Sequence, residues 1–180
     1  MMPTAAFHPN GTIFAVCGNG ATLTSAPTWD AEWGPQRPIG TPTRWEDPTL
    51  WFDRRGHWHI LFHVYALEPF HAHEERYGGH AFSRDGMRWT FSKVEPFNGT
   101  VHFTDGTIKR FSTRERPQLV FSRGDFNRTT PRGLITAVSP QPIGPTCDSC
   151  SQQACSQCKV TPGRDWTFTL YQPLDVPDAA

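Results

Sequence analysis

The alternation of apolar and polar positions predicts short antiparallel strands along most of the chain. No window of eleven or more residues places apolar side chains at helical spacing without an interrupting proline or glycine. Runs rich in aromatic and β-branched residues predict strands at residues 11–17, 21–25, 49–53, 57–65, 79–83, 88–92 and 166–174. We therefore expect an all-β protein.

The segment from residue 45 to residue 91 has the clearest pattern. In its second strand an apolar face alternates with a face that carries imidazoles; the first has Trp58, Ile60, Phe62 and Val64, and the second has His57, His59, Leu61 and His63. The next two strands flank Asp85-Gly86, a favoured turn dipeptide. Four consecutive antiparallel strands in about fifty residues are typical of one propeller blade.

A recurring pattern, proline just before a hairpin whose second strand follows a glycine, begins near residues 9, 48 and 117. It predicts repeated small sheets, and a jelly roll or plain β-sandwich is the alternative. We expect a partial β-propeller of about three to four antiparallel blades. Residues 1–44 would hold the remnant of a first blade, 45–98 a complete four-stranded blade, and 99–174 the last blade or blades, with a cysteine-rich insertion at 145–160.

Composition and charge exclude several classes of protein. The 180 residues contain 17 Lys and Arg against 17 Asp and Glu, so the formal net charge is zero. A neutral chain has no field that steers it onto nucleic acid or an anionic membrane, and we expect neither as a partner. No apolar run approaches the roughly 20 residues of a membrane helix. The sequence gives no indication of oligomeric state.

Signals of cellular location point in two directions. Residues 1–11 have neither a basic nor an apolar signal-peptide region, so no signal peptide is expected in this chain. Asn10, Asn98 and Asn127 each precede a threonine by two positions, which makes three glycosylation sequons and indicates an extracellular or secretory location. The alternative is that Asn-Gly at the first two sites is simply a turn dipeptide.

Four of the five cysteines lie within twelve residues: Cys147, Cys150, Cys155 and Cys158. Paired C-x2-C units are typical of zinc or redox sites, but only four residues separate the pairs, fewer than the roughly twelve of a zinc ribbon. Two disulfides that staple a loop, or a variable loop, are favoured instead. No catalytic role is predicted for these cysteines. We expect no cofactor, with a structural Ca²⁺ or Zn²⁺ left open.

Three phrases carry a resemblance to a known family. They are Glu46-Asp47-Pro48 with the strand pair that follows it, Gly78-Gly79-His80 with the strand and turn that follow it, and Arg114-Glu115-Arg116-Pro117. Together they resemble the five-bladed β-propeller glycoside hydrolases, especially family 43 and its relatives. The strand at 166–174 is similar to the closing strand of such proteins, so the resemblance runs from about residue 7 to residue 174.

The resemblance implies a site at the centre of the propeller, where acidic residues from the inner strands converge. Asp47 would tune and orient the general acid, and Glu115 would be that acid. The family's general base, an Asp on the first blade, has no counterpart, because no acidic residue precedes Asp30. The substrate contacts that we expect are His80, His63, Trp51 and Arg116.

Each of these residues also has a purely structural interpretation. Asp before Pro commonly turns the start of a strand, and Glu115 could form a surface ion pair. Strand neighbours point to opposite faces, so the guanidiniums that flank Glu115 need not touch it. A lone strand histidine such as His80 is often structural, and strand tryptophans are mostly core. His57, His59 and His63, with His71 and His73 nearby, could bind a metal, but such imidazoles more often line a polar groove, and no metal is predicted.

We therefore expect a glycoside hydrolase-like protein that acts on or binds neutral carbohydrate, by hydrolysis of O-glycosyl bonds in the family. At about fifty residues per blade, closure at five blades needs about 250 residues, so N-terminal blades with the base are expected to be absent and this chain alone to show little turnover. The alternatives are a non-catalytic carbohydrate-binding or protein-interaction propeller fragment and a zinc-organised adaptor.

Overall fold

A computed structural model of the protein describes residues 3–17, 21–40, 45–64, 77–111, 113–125, 127–139 and 168–174. Within these ranges the chain forms thirteen β-strands. Among the described residues, no helix is long and apolar enough to cross a membrane. The predicted all-β fold is confirmed.

The strands form three antiparallel sheets and a two-stranded ribbon, each in chain order. Sheet A contains β1 (Pro3–Phe7), β2 (Ile13–Cys17), β3 (Thr22–Ala26) and β4 (Arg37–Pro38). Sheet B contains β5 (Trp45–Phe52), β6 (Trp58–Val64), β7 (Tyr77–Ser83) and β8 (Thr90–Phe91). The ribbon pairs β9 (Thr100–His102) with β10 (Ile108–Arg110), and sheet C contains β11 (Thr113–Phe121), β12 (Pro131–Ser139) and β13 (Phe168–Pro173).

The first strands of the three sheets lie side by side. Strand β1 packs against β5, and β5 packs against β11. Meandering sheets whose first strands line a common centre are the arrangement of a propeller, in which each sheet is one blade. We call β1, β5 and β11 the inner strands. The predicted division of the chain at residues 44 and 98 stays a prediction.

Sheet B is covered on both faces. One face packs with sheet A in a core that includes Val16, Leu23, Trp45, Leu50, Phe52, Trp58, Ile60 and Phe62. The other face packs toward sheet C through Leu61, Phe97 and Leu134. Because of this second core, the predicted imidazole face of β6 is not a polar groove at Leu61 and His63, which are 6% and 0% exposed. A strand in a sheet that is packed on both sides has no face exposed to solvent.

Three details of the chain differ from the sequence prediction. Strand β1 was not predicted, since its small residues give little pattern. Residue 9, predicted to begin a repeat like those at 48 and 117, lies instead in the β1–β2 turn, where the His8 N–H bonds to the Thr12 carbonyl at 2.9 Å. The reversal at Asp85-Gly86 spans residues 84–89, because the Asp85 carboxylate accepts two further backbone N–H groups, from Met87 and Arg88.

The two Asn-Gly sequons, at Asn10 and Asn98, form Asx turns. The side-chain oxygen of Asn10 accepts the Thr12 N–H at 3.0 Å, and that of Asn98 accepts the Thr100 N–H at 2.9 Å. These bonds give the asparagines a local structural role. Glycosylation and an extracellular location stay predictions.

Glycine in β7 lets the neighbouring aromatic rings pack closely. A Cβ added at Gly79 would overlap the ring of Phe62, which is 3% exposed and stacks on Trp45 with ring centroids 4.7 Å apart. Trp45 and Phe62 directly precede Glu46 and His63 in the sequence. The stack therefore holds β5 against β6 next to these two polar residues.

We expect Gly79→Ala to destabilise the fold by about 1–3 kcal/mol, because the added methyl group forces a packed ring from its position. Gly124→Ala is the matched control, since a Cβ there meets nothing within 4 Å. Urea unfolding followed by tryptophan fluorescence measures both free energies. Equal midpoints for the two variants would contradict the packing argument.

Candidate functional site

The inner strands β5 and β11 carry the same irregularity. The pairing register shifts directly after Glu46 in β5 and directly after Glu115 in β11. The next residue has a left-handed backbone in both strands, with φ of 52° at Asp47 and 56° at Arg116, and a proline follows. A non-glycine residue in this region costs about 1–3 kcal/mol, and such strain concentrates at functional sites. The paired bulges therefore mark a candidate site.

The two bulges meet at the centre of the molecule. The buried hydroxyl of Thr49 donates a hydrogen bond to the Pro117 carbonyl, which joins β5 to β11 across 68 residues of sequence. Around this junction four side chains each place one polar atom within 4.8 Å of the others; they are Glu46, Asp47, His63 and Glu115. We call them the central cluster.

Three members of the central cluster are buried and one is open to solvent. Asp47 and Glu115 are 6% and 7% exposed, and His63 is fully buried. The side chain of Glu46 is 25% exposed. A molecule that approaches from solvent therefore meets Glu46 first.

His63 lies between two carboxylates. Its Nε2 is 2.9 Å from Glu46 Oε1, and its Nδ1 is 3.2 Å from Asp47 Oδ2. The imidazole therefore bridges the two carboxylates, with one ring nitrogen toward each.

The arginines on either side of Glu115 contact other groups. Arg116 is 61% exposed, and its Nε lies 3.7 Å from Asp47 Oδ2. Arg114 is buried, and burial lowers its pKa to about 10. Its guanidinium donates to three neutral acceptors: Thr136 Oγ1, the Asn98 carbonyl and Gln172 Oε1. Arg114 thus joins the three strands of sheet C, and Arg116 adds positive charge at the mouth of the central cluster.

The central cluster also has the donor set of a cation site. Three carboxylates and one imidazole suit a divalent cation that prefers oxygen ligands. The absence of a cofactor stays a prediction, as does the open alternative of a structural Ca²⁺ or Zn²⁺.

A second group of aromatic and imidazole rings lies farther along sheet B. Trp51 stacks on His59 with centroids 4.8 Å apart, and His59 Nδ1 lies 3.0 Å from His80 Nε2. On the other side of His59, Nε2 lies 3.4 Å from Asp53 Oδ2. His59 and His63 are four positions apart in β6, which is about 13 Å at strand spacing.

The predicted substrate contacts therefore fall into two groups. His63 and Arg116 adjoin Asp47 in the centre, whereas Trp51 and His80 contact His59 in the second group. The substrate roles of all four residues stay predictions.

Burial sets the charge of the second group. Burial and then the charge of His59 lower the pKa of His80 to about 4. Burial also lowers the pKa of His59, although Asp53 opposes this. At Asp53 burial raises the pKa, but hydrogen bonds from Arg55 and from the His57 N–H outweigh it and bring the pKa to about 2. Near neutral pH the group is an ionised carboxylate beside two neutral imidazoles.

Sequence reasoning missed Glu46. The available signal was the Glu-x-Pro pattern, which occurs at 46–48 and again at 115–117. Glu46 therefore has the same position relative to the bulge in β5 as Glu115 has in β11. The predicted cysteine cluster, Cys147, Cys150, Cys155 and Cys158, lies outside the described residues, as do His71 and His73. Cys17 in β2 has a free thiol.

No protein-family model matches the chain, and no curated protein matches it. Among solved structures, the chain is similar to the family 32 glycoside hydrolase β-fructofuranosidase of Bombyx mori, with a TM-score of 0.50 and 11% identity over 76% of this chain. The fold is that of the propeller glycosidases. A likeness at this identity shows the fold alone, and it confirms the predicted propeller class.

The chain spans 29% of the length of the β-fructofuranosidase. A family 43 endo-arabinanase from Bacillus licheniformis also matches, with a TM-score of 0.39 and 14% identity over 77% of this chain and 64% of that one. The narrower assignment to family 43 stays a prediction.

We expect the stability of the protein to fall as the pH drops from about 6.5 to about 4. In this window the unfolded chain protonates His80, whose ordinary pKa is 6.5, while the folded chain resists protonation until about pH 4. His80→Phe keeps a ring in the stack and should flatten this pH dependence. Urea unfolding at pH 7, 5.5 and 4.5 measures the slope.

The exposed His102 provides the control, as His102→Phe should keep the wild-type slope. An unchanged slope in His80→Phe would show that burial of His80 does not set its protonation. The slope in His80→Phe should not vanish completely, because the pKa of His59 is also lowered.

Proposed function

We propose that the central cluster is a glycoside hydrolase site that acts on O-glycosyl bonds of neutral carbohydrate. The observation that carries the proposal is the convergence of Asp47 and Glu115 from strained bulges in two inner strands. Both residues were predicted from the sequence as parts of one site, although 68 residues separate them. The likeness in fold to propeller glycosidases supports the same class of reaction.

Hydrolysis of a glycosidic bond needs one carboxyl group that donates a proton to the leaving oxygen and one carboxylate that assists attack at the anomeric carbon. We assign the donor role to Glu115, which burial keeps away from bulk water. We assign Asp47 the role of positioning its neighbours in the site. His63 Nδ1 lies 3.2 Å and Arg116 Nε lies 3.7 Å from its Oδ2. Glu46 is the carboxylate that a substrate can reach, and we assign the attacking role to it. With this group the purified chain should turn over substrate, whereas the sequence alone predicted little turnover.

The spacing of the carboxylates favours direct attack. A water molecule fits between sugar and base only when the two carboxyl groups are about 6.5–9.5 Å apart, whereas direct attack by a carboxylate needs about 5 Å. The candidate oxygens of Glu46 and Glu115 lie within 4.8 Å. The proposal therefore includes a covalent glycosyl ester on Glu46, which water hydrolyses with help from Glu115.

One observation favours a non-catalytic alternative. The inner strand of sheet A, Pro3-Thr4-Ala5-Ala6-Phe7, has no acidic residue, so the base that the family carries on its first blade is missing from it. In this alternative the central cluster binds sugar hydroxyls without cleaving a bond. Activity measurements separate the two.

We expect Glu115→Gln to lower kcat/KM on sucrose and on methyl glycosides by at least about 100-fold, since an alkoxide leaving oxygen needs the proton donor. The substrates are sucrose and methyl arabinofuranosides, xylosides and galactosides, assayed with the purified chain. Glu95→Gln, an exposed carboxylate outside the central cluster, is the matched control and should keep wild-type activity. Hydrolysis that survives in Glu115→Gln, or its absence from every substrate in the wild type, would refute the proposal.

Cleavage should proceed with retention of configuration at the anomeric carbon, because two displacements occur there. Proton NMR of the first-formed sugar, recorded before mutarotation, distinguishes retention from inversion. Glu46→Ala should abolish turnover, and added azide should restore it and give a glycosyl azide of the opposite configuration, since azide attacks from the space that the carboxylate leaves. An inverted product from the wild type would remove Glu46 from the attacking role.

A further inference from the structure

The connection between β3 and β4 displays two tryptophans to solvent. In the segment Thr28-Trp29-Asp30-Ala31-Glu32-Trp33, Trp29 is 81% exposed and Trp33 is 41% exposed. A tryptophan is among the most costly side chains to leave in water, and exposed aromatic surface on a folded domain commonly marks a binding site. Neither tryptophan has a role in the site described above.

Hydrogen bonds fix the shape of this segment. The Ala31 N–H bonds to the Thr28 carbonyl at 3.3 Å, so Trp29 and Asp30 form the tip of a β-turn. The Thr28 hydroxyl donates to Asp30 Oδ1 at 2.7 Å. A ligand that binds here would order few side chains, which keeps the entropic cost of binding low.

The base of the segment is also clamped. Gly34 bonds to β3 twice, through its N–H to the Ser25 carbonyl at 2.8 Å and through its carbonyl to the Thr24 hydroxyl at 2.7 Å. A Cβ at Gly34 would lie 3.3 Å from the Ser25 oxygen, so the close approach suits glycine. Trp33 directly precedes this anchor and is therefore held near the surface of sheet A.

The chemistry of the segment disfavours anionic ligands and suits a neutral partner with flat apolar faces. Its two indole faces are apolar and planar, and the exposed carboxylates of Asp30 and Glu32 are hydrogen-bond acceptors that repel anions. A partner that fits has flat apolar faces, many hydroxyl donors and no negative charge. Neutral polysaccharide has all three properties, whereas nucleic acid, phospholipid surfaces and acidic glycans do not.

We propose that the segment from Thr28 to Trp33 is a surface binding site for neutral polysaccharide, separate from the central cluster. The segment joins the two outermost strands of sheet A, whereas the central cluster lies on inner strands. It would hold a polysaccharide on the outside of the blade while another part of the same polysaccharide reaches the central cluster. The choice of ligand class rests on the proposed function, but binding at the segment does not require hydrolysis.

Affinity gel electrophoresis tests the proposal. The purified protein is run in gels that contain arabinan, arabinoxylan, galactan or inulin, with polygalacturonate as the anionic comparison. Wild-type protein should be retarded by at least one neutral polymer and not by polygalacturonate. Trp29→Ala should weaken this binding about tenfold and Trp33→Ala by less, because Trp29 offers the larger exposed face.

Ile108→Ala serves as the control. This variant removes an apolar side chain on the ribbon that is 61% exposed, and it should leave the retardation unchanged. Circular dichroism confirms that each variant is folded, and substitutions at an exposed turn should leave the fold intact.

Two outcomes would overturn the proposal: retardation by no neutral polymer, or retardation that Trp29→Ala leaves intact. Binding that is lost in Trp29→Ala but accompanied by no hydrolysis would sustain this site and reject only the catalytic function. A wild-type protein that self-associates through Trp29 in sedimentation velocity, or that binds a lysine-rich peptide in place of polysaccharide, would assign the segment to a protein partner and likewise overturn the proposal.

Discussion

The position of His63 between Glu46 and Asp47 is the interaction on which the central cluster depends. The central cluster brings three carboxylates together, two of them buried, and buried polar groups need polar partners. His63 reaches two of these carboxylates from β6, with one ring nitrogen toward each. Its burial follows from the two-sided packing of sheet B. The chemistry at the centre therefore depends on the same packing that stabilises the blades.

The paired bulges explain how two distant segments supply one site. Each bulge inserts a residue with left-handed φ into an inner strand, which turns the glutamate before it toward the junction. The bond from the Thr49 hydroxyl to the Pro117 carbonyl ties the two irregular segments directly to each other. Backbone strain of this kind persists only where surrounding contacts hold it, and the stack of Phe62 on Trp45 supplies part of that support.

Sheet B keeps two sets of titratable groups apart. At one end the central cluster places three carboxylates and the His63 imidazole within 4.8 Å of one another. At the other end burial leaves His59 and His80 neutral, and Asp53 is held ionised by Arg55. The buried Leu61, packed with Phe97 and Leu134, lies between His59 and His63 in β6. Histidines on one face of one strand thus have different partners, which are Glu46 and Asp47 at one end and Asp53 and His80 at the other.

The sequence by itself determined the all-β class and most strands of sheets A and B. These conclusions rest on local information, since strand alternation is visible within a few residues. The placement of Asp47 and Glu115 in one site was implied by the family resemblance and not by the local pattern. Strand β1 was not predicted, because Thr4, Ala5 and Ala6 give almost no contrast in polarity between the two faces of the strand.

The tertiary structure alone decided that Glu46 joins the central cluster, that His63 is buried there, and that Trp51 and His80 group with His59 instead. These facts depend on how neighbouring blades stack. That stacking is set by contacts such as the one between Thr49 and Pro117, 68 residues apart, and no short-range pattern encodes it.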